Sequence, residues 1–302
     1  MPETPALPVI VNRSGGTASR LGDKLEVTLQ QAFEQAGVAA DIHLAEGKDI
    51  AAAVERAKGA PVVAVGGGDG TQGSAAAILA GSGSAQLVLP LGTRNHLAKQ
   101  LGMPEDLPEA ARVAATGRRE AIDLATAGDR IFVNNASIGI YTRLVRERDK
   151  RSRSKWLGTI PAAWTVLSTL RPRSLALVVD GRAERAVTPM LFIGNNRYSL
   201  DLGEVGRRES LSDGVLSLYA VAQRRPLSLI GFALRALAGR ADPHRDFGAL
   251  VEVREVTIDG AGPIEVAFDG EVERMTLPLT FRIMPAALDV LVPGPASDGR
   301  KP

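Results

Sequence analysis

The chain has no cysteine. That removes disulfides, thiolate catalysis and cysteine-ligated zinc or iron–sulfur sites together, and it fits a reducing compartment. Histidine is scarce: only His43, His96 and His244 occur, too few for a histidine-rich metal centre. No apolar run is long enough to span a bilayer. The first residues, Met1-Pro2-Glu3-Thr4-Pro5, carry no basic segment and no long apolar stretch, so no signal peptide is expected and a cytoplasmic protein is. Net charge is +2, too small to argue for a nucleic-acid partner. What remains is a soluble globular composition, 45% hydrophobic and 23% charged over 302 residues, long enough for two domains.

The most informative stretch is Val62-Val63-Ala64-Val65-Gly66-Gly67-Gly68-Asp69-Gly70-Thr71. A short apolar strand runs into a glycine cluster holding one carboxylate and one hydroxyl, and Gln72 to Leu79 reads as a helix. Glycines let the backbone approach an anion, and a helix N-terminus offers N–H groups and a favourable dipole. The pattern predicts a phosphate-binding turn.

Around it, strands are predicted at Pro8–Asn12, Asp41–Leu44 and Ala85–Leu91, alternating with helices near Arg20–Gln35, Asp49–Lys58 and Leu107–Ala115. Such alternation argues for a doubly wound parallel sheet. Beyond Glu120 the texture changes. Strand-like segments at Ala121–Leu124, Arg130–Asn135, Ser174–Asp180, Thr188–Gly194, Gly214–Tyr219, Val253–Ile258 and Ile264–Phe268 are mostly separated by turns, which predicts a β-sandwich. Helical interruptions are expected near Thr159–Thr169 and Ser228–Gly239. The expected division is an α/β domain over 1–120, to which about 284–302 returns, and a β-rich acceptor-binding domain over 121–283, with the active site in the interdomain cleft.

Two nucleotide motifs can be tested directly. Gly-x-x-x-x-Gly-Lys-Ser/Thr is absent, which excludes a P-loop. Gly68, Gly70 and Gly73 fit Gly-x-Gly-x-x-Gly, but the next strand ends Pro90-Leu91-Gly92-Thr93 without the ribose-binding acid, so hydride chemistry is discounted. Thr93 brings a hydroxyl and a backbone N–H to a strand end, where ligands bind in such sheets. Thr93 and Asn95 also suit helix capping.

The pairing of Gly67-Gly68-Asp69-Gly70-Thr71 with Pro90-Leu91-Gly92-Thr93-x-Asn95 resembles the diacylglycerol kinase catalytic-domain family. That family includes bacterial lipid kinases and sphingosine kinases and is related to NAD kinases. Asn12-Arg13-Ser14-Gly15-Gly16 looks like its first nucleotide loop, with Arg13 in place of the usual proline. Asn134-Asn135-Ala136-Ser137-Ile138-Gly139 resembles the opening of its second domain, and Gly194-Asn195-Asn196-Arg197-Tyr198 is a loose likeness. Leu211-Ser212-Asp213-Gly214-Val215-Leu216 and Phe268-Asp269-Gly270-Glu271 match its Asp-Gly and Asp-Gly-Glu turns.

The resemblance implies an ATP- and Mg²⁺-dependent lipid kinase that phosphorylates the hydroxyl of a diacylglycerol-like lipid. ATP would be held by Asn12, Gly67, Gly68, Asp69, Gly70, Thr71, Thr93 and Asn95. Asp69 would act as a ligand of ATP-bound magnesium or as the base. The Asp-Gly-Glu turn would supply the general base, either Asp269 or Glu271, with the longer Glu271 favoured. A second magnesium position would be formed by Ser210, Asp213 and Val215, although Ser210 stands where an apolar residue is expected. Asp123 and Asp180 receive no role.

The run of Arg143, Arg146, Arg148, Lys150, Arg151, Arg153 and Lys155 is flanked by Tyr141, Leu144, Val145 and Trp156. Basic residues with apolar neighbours can dock on anionic headgroups, which predicts peripheral contact with the inner membrane surface. The alternatives are a kinase of a soluble acceptor such as NAD, and a non-catalytic nucleotide- or lipid-binding protein of the same fold.

Overall fold

A computed structural model describes residues 5–139, 172–198, 208, 210–221 and 247–294, with backbone alone at 221 and 247–250. The basic run at Arg143–Lys155 and both expected helices of the second half lie outside the described residues. The chain divides into two compact units. One runs to Ile122 and takes up the chain again from Ala286; the other is Asp123–Pro285.

The first unit is built on parallel strands β1 (Leu7–Asn12), β2 (Ala40–Ala45), β3 (Val62–Gly66) and β4 (Ala85–Leu89). Their order is β2-β1-β3-β4, and the last residues of β14 (Glu271–Val292) lie parallel to β4 through Val290 and Leu291. Helices α1 (Gly16–Leu21), α2 (Leu25–Gln35), α3 (Ile50–Ala57), α4 (Asp69–Leu79), α5 (His96–Gln100) and α6 (Leu107–Thr116) fill the crossovers. Helix α2 packs with α6, and α3 with α4. β4 is buried along its whole length, as a strand covered on both faces must be. The helix expected over Arg20–Gln35 is in fact α1 and α2, parted at Gly22, whose φ of +54° lies outside helical space.

The strand order reverses between β1 and β3, since the chain passes from β1 out to β2 and then back across to β3. Such a switch point opens a crevice at the carboxyl ends of the strands, the usual ligand position in open α/β sheets.

The second unit is antiparallel. Its strands are the outer part of β5 (Arg118–Ala127), then β6 (Arg130–Phe132), β7 (Asn135–Gly139), β8 (Arg173–Val179), β9 (Arg182–Thr188), β10 (Met190–Asn195), β11 (Leu216–Val221), β12 (Phe247–Val253), β13 (Glu255–Phe268) and β14. They run in the order β12-β11-β10-β7-β13-β14, with β8-β9 attached to β13 and β5-β6 to β14. The expected strands at Val253–Ile258 and Ile264–Phe268 are one strand, β13, with a register shift between Ile258 and Gly262. Before the shift β13 pairs with β8; after it, with β7. A bulge that lets one strand serve two sheets is how sandwiches turn their corners. Phe132, Phe268 and Phe281 are buried together, with centroids 5.7 and 6.4 Å from Phe132.

Candidate active site

In the first unit the loops after β1, β3 and β4 converge. The turn after β3 is Gly67-Gly68, and α4 begins at Asp69 with Gly68 as its cap residue. The first bond of the helix is from the Gln72 N–H to the Gly68 carbonyl, 3.0 Å. The N–H groups of Asp69, Gly70 and Thr71 therefore lie ahead of the helical ladder and form the positive end of the dipole.

Glycine is needed here for contact rather than only for flexibility. A Cβ on Gly92 would stand 2.3 Å from Gly68 Cα, and one on Gly16, whose φ is +55°, would stand 2.5 Å from the Gly92 carbonyl carbon. The three loops thus touch backbone to backbone. Two side chains stitch them. Asn12 Nδ2 donates to Thr71 Oγ1 at 3.0 Å, bridging the switch point from β1 to α4, while Asn12 Oδ1 accepts the Ser14 N–H. Asp69 Oδ1 accepts the Leu97 N–H at 3.3 Å, tying the start of α4 to the start of α5.

Asn95, at φ +53°, is committed to its own loop: Oδ1 accepts the Gly92 N–H, and Nδ2 donates to the Pro90 and Gly92 carbonyls. It shapes the turn that presents Thr93, which is exposed. The structure thus brings Asn12, Gly67, Gly68, Asp69, Gly70, Thr71, Thr93 and Asn95 to one end of one sheet.

In the second unit Asp269-Gly270 is the two-residue turn of the β13–β14 hairpin, with Phe268 paired to Glu271. Both φ values are positive, +48° and +95°, as a hairpin turn that matches strand twist requires. Asp269 is held fast. Its Oδ2 accepts the Val133 N–H at 2.9 Å, and its Oδ1 accepts those of Asn134 and Asn135 at 2.7 and 3.0 Å. These bonds divert the chain between β6 and β7, so the single strand expected over Arg130–Asn135 is interrupted. Glu271 is exposed at the head of β14.

The same loop is gripped from its other side. Arg208 donates to the Val133 carbonyl and to Asn134 Oδ1, and the Tyr198 hydroxyl donates to the Asn134 carbonyl. Burial pushes the Tyr198 hydroxyl pKa up and draws that of Arg208 down; each partly offsets the shift of the other, and Asp269 also favours the charged Arg208.

Ser210, Asp213 and Val215 form a tight turn before β11. Ser210 Oγ accepts the Ser212 N–H, Asp213 Oδ2 accepts the Arg197 N–H, and the Val215 carbonyl accepts the Asn196 N–H. Asn195 and Asn196 join this turn to the Asp269 loop, since the Asn195 N–H reaches the Asn134 carbonyl and Asn196 Oδ1 accepts the Asp213 N–H. Asp123, given no role from sequence, is 3% exposed and accepts the Gly214 N–H at 2.7 Å, fixing the same turn. A charged residue inside the apolar run Ile122–Leu124 was the signal. Asp180 anchors the N–H groups of Arg254 and Glu255.

Among the described residues no group of three His, Cys, Asp or Glu side chains could enclose a metal. The Asp213 carboxylate and Val215 carbonyl are hard oxygen donors. Magnesium takes oxygen donors of this kind, and each here already accepts one backbone N–H, from Arg197 and from Asn196. Among the described residues no helix is long and apolar enough to cross a membrane.

Comparison with known proteins agrees with this layout. The diacylglycerol kinase catalytic domain family matches residues 6–127, and the YegS C-terminal NAD kinase beta sandwich-like domain matches residues 137–292. A diacylglycerol kinase of Mycobacterium tuberculosis (strain CDC 1551 / Oshkosh) is 32% identical over 262 residues, 81% of this chain and 80% of that protein. The protein named "Probable lipid kinase YegS" of Escherichia coli (strain SMS-3-5 / SECEC) is 28% identical over 81% of this chain and 83% of its own. A YegS-like relative of Klebsiella pneumoniae (strain 342), 30% identical, aligns over about half of each chain, 52% of this one and 54% of the other. In fold, the crystal structure of a diacylglycerol kinase from Bacillus anthracis str. Sterne is similar with a TM-score of 0.68, 19% identity and coverage of 98% and 99%. With its α/β unit and its β-sandwich matched in order along the chain, this protein belongs to the diacylglycerol kinase family of phosphotransferases.

Proposed function

We propose that the protein transfers the γ-phosphate of ATP to the free hydroxyl of a diacylglycerol-like lipid. The observation that carries this reading is the convergence of three loops on the N-terminus of α4 at the sheet's switch point. The N–H groups of Asp69, Gly70 and Thr71 bind phosphate oxygens, with Gly67 and Gly68 allowing close approach and Asn12 and Thr93 alongside. Asp69, tied to Leu97 through one oxygen, would help to hold the magnesium ion of a bound triphosphate. Magnesium supplies countercharge to the phosphates; Asp213, with the backbone around Ser210 and Val215, would hold a second ion.

Glu271 is the general base. Asp269 spends both carboxylate oxygens on three backbone N–H groups, whereas Glu271, two residues on past Gly270, is exposed. A base must be able to reach the hydroxyl proton it removes. Asp269 is then the residue that fixes the turn from which Glu271 works.

The acceptor is tested by incubating the protein with γ-labelled ATP and either diacylglycerol or NAD, and separating products by thin-layer chromatography. Label in the lipid supports the reading. Label in NAD alone would move the protein to the soluble-acceptor class, and no transfer to either would favour a binding protein.

A further inference from the structure

Two buried glutamines lie beneath the phosphate loop. Gln72 is 3% exposed and Gln86 is 0% exposed. Gln72 sits in the first turns of α4, and its side chain turns inward under the loop. Its Nε2 donates to the Val65 carbonyl at 2.8 Å and to the Leu89 carbonyl at 3.4 Å. These carbonyls lie near the ends of β3 and β4, and that of Leu89 also accepts the Leu91 N–H. Gln86, in the middle of β4, donates to Gln72 Oε1 at 2.7 Å and to the Gln72 carbonyl at 3.3 Å.

The direction of this ladder is fixed. The Gln72 amide must turn its nitrogen toward two carbonyls, so its oxygen faces Gln86, whose nitrogen must then face back. Gln86 Oε1 is buried with no hydrogen-bond partner among the described residues. Two apolar side chains of similar size would fill this space without that cost. They could not, however, tie the start of α4 to the ends of both strands.

We infer that Gln72 and Gln86 are positioning residues for nucleotide binding: their amide ladder holds the N-terminus of α4, with the amides of Asp69, Gly70 and Thr71, in register with the ends of β3 and β4. This rests on the reading of that loop as the ATP phosphate site. A device of this kind acts on nucleotide affinity and leaves the acceptor side alone.

The test is the double variant Gln72→Leu/Gln86→Leu, with Gln86→Met as the milder single change that removes only the donor orienting Gln72. Melting temperature, ATP affinity by calorimetry and amide hydrogen exchange over residues 66–73 are read together. The double variant leaves no side-chain amide unpaired but takes the Gln72 donor from the Val65 and Leu89 carbonyls, so its melting temperature falls modestly. ATP binding weakens about tenfold to a hundredfold, since small misplacements of a preorganised site have effects of that size. Exchange at Gly70–Gln72 speeds up, and in Gln86→Met both readouts move the same way by less. ATP affinity and exchange equal to the parent's in both variants would overturn the inference. If the parent itself binds no ATP, the nucleotide reading fails, and the exchange rates alone decide whether the ladder positions the loop.

Discussion

Asp269 and Glu271 are separated by one glycine, yet their surroundings differ completely. Asp269 is a clamp on the chain between Val133 and Asn135; Glu271 is exposed. Asp269→Asn replaces an acceptor with a donor facing an N–H group, so stability falls by about 1–3 kcal/mol. Glu271→Gln leaves the melting temperature unchanged and lowers turnover by roughly 10²–10⁴-fold, the usual worth of a general base. Thermal unfolding and turnover of the two variants check this. A stable, slow Asp269→Asn beside a fully active Glu271→Gln would reverse the assignment. Sequence alone could not separate these two acids, because spacing across a turn says nothing about which carboxylate is already bonded. For the same reason Gln72 and Arg208 were silent: each is marked by burial and by partners far along the chain. The turn at Gly67 and Gly68 and the start of α4 at Asp69 were legible because a glycine cluster ending an apolar strand breaks it.

At the scale of elements, the parallel strands of the first unit were legible from their apolar runs and from the helices between them. β9 was not. Its sequence, Arg182-Ala183-Glu184-Arg185-Ala186-Val187-Thr188, has little apolar alternation, and most of it is exposed; pairing with β8 makes it a strand. The continuity of β13 was hidden by glycines at the bulge, and β14, for which no strand was expected, by its prolines. The loop elements around α4 make a sharper prediction. Gly92→Ala would drive a methyl group into Gly68, a contact only backbone movement can relieve. ATP affinity, measured by calorimetry, drops at least about tenfold if the displaced amides form the proposed binding surface. Gly81→Ala, where a Cβ meets nothing within 4 Å, is the control for a glycine replacement that touches no other loop, and it leaves ATP affinity unchanged.

On the scale of the whole molecule, the passage from alternating strands and helices to strands at turn spacing announced two different architectures, and both are present. The return of the chain to the first sheet through Val290 and Leu291 depends on a pairing that local sequence does not specify. The membrane contact proposed for the basic run is tested at this scale too. Replacing Arg143, Arg146, Arg148, Lys150, Arg151, Arg153 and Lys155 with glutamine weakens sedimentation with anionic vesicles and leaves ATP affinity intact, because each basic residue near an anionic surface contributes about 1 kcal/mol. Unchanged sedimentation removes the role of this run.

The account as a whole is tested most directly by following label from γ-labelled ATP into a total lipid extract, with the parent protein and Glu271→Gln side by side and the product identified by mass. The expected result is one lipid class that gains a single phosphate with the parent and almost none with Glu271→Gln. Label that stays out of lipid altogether, or enters it equally with both proteins, would contradict it.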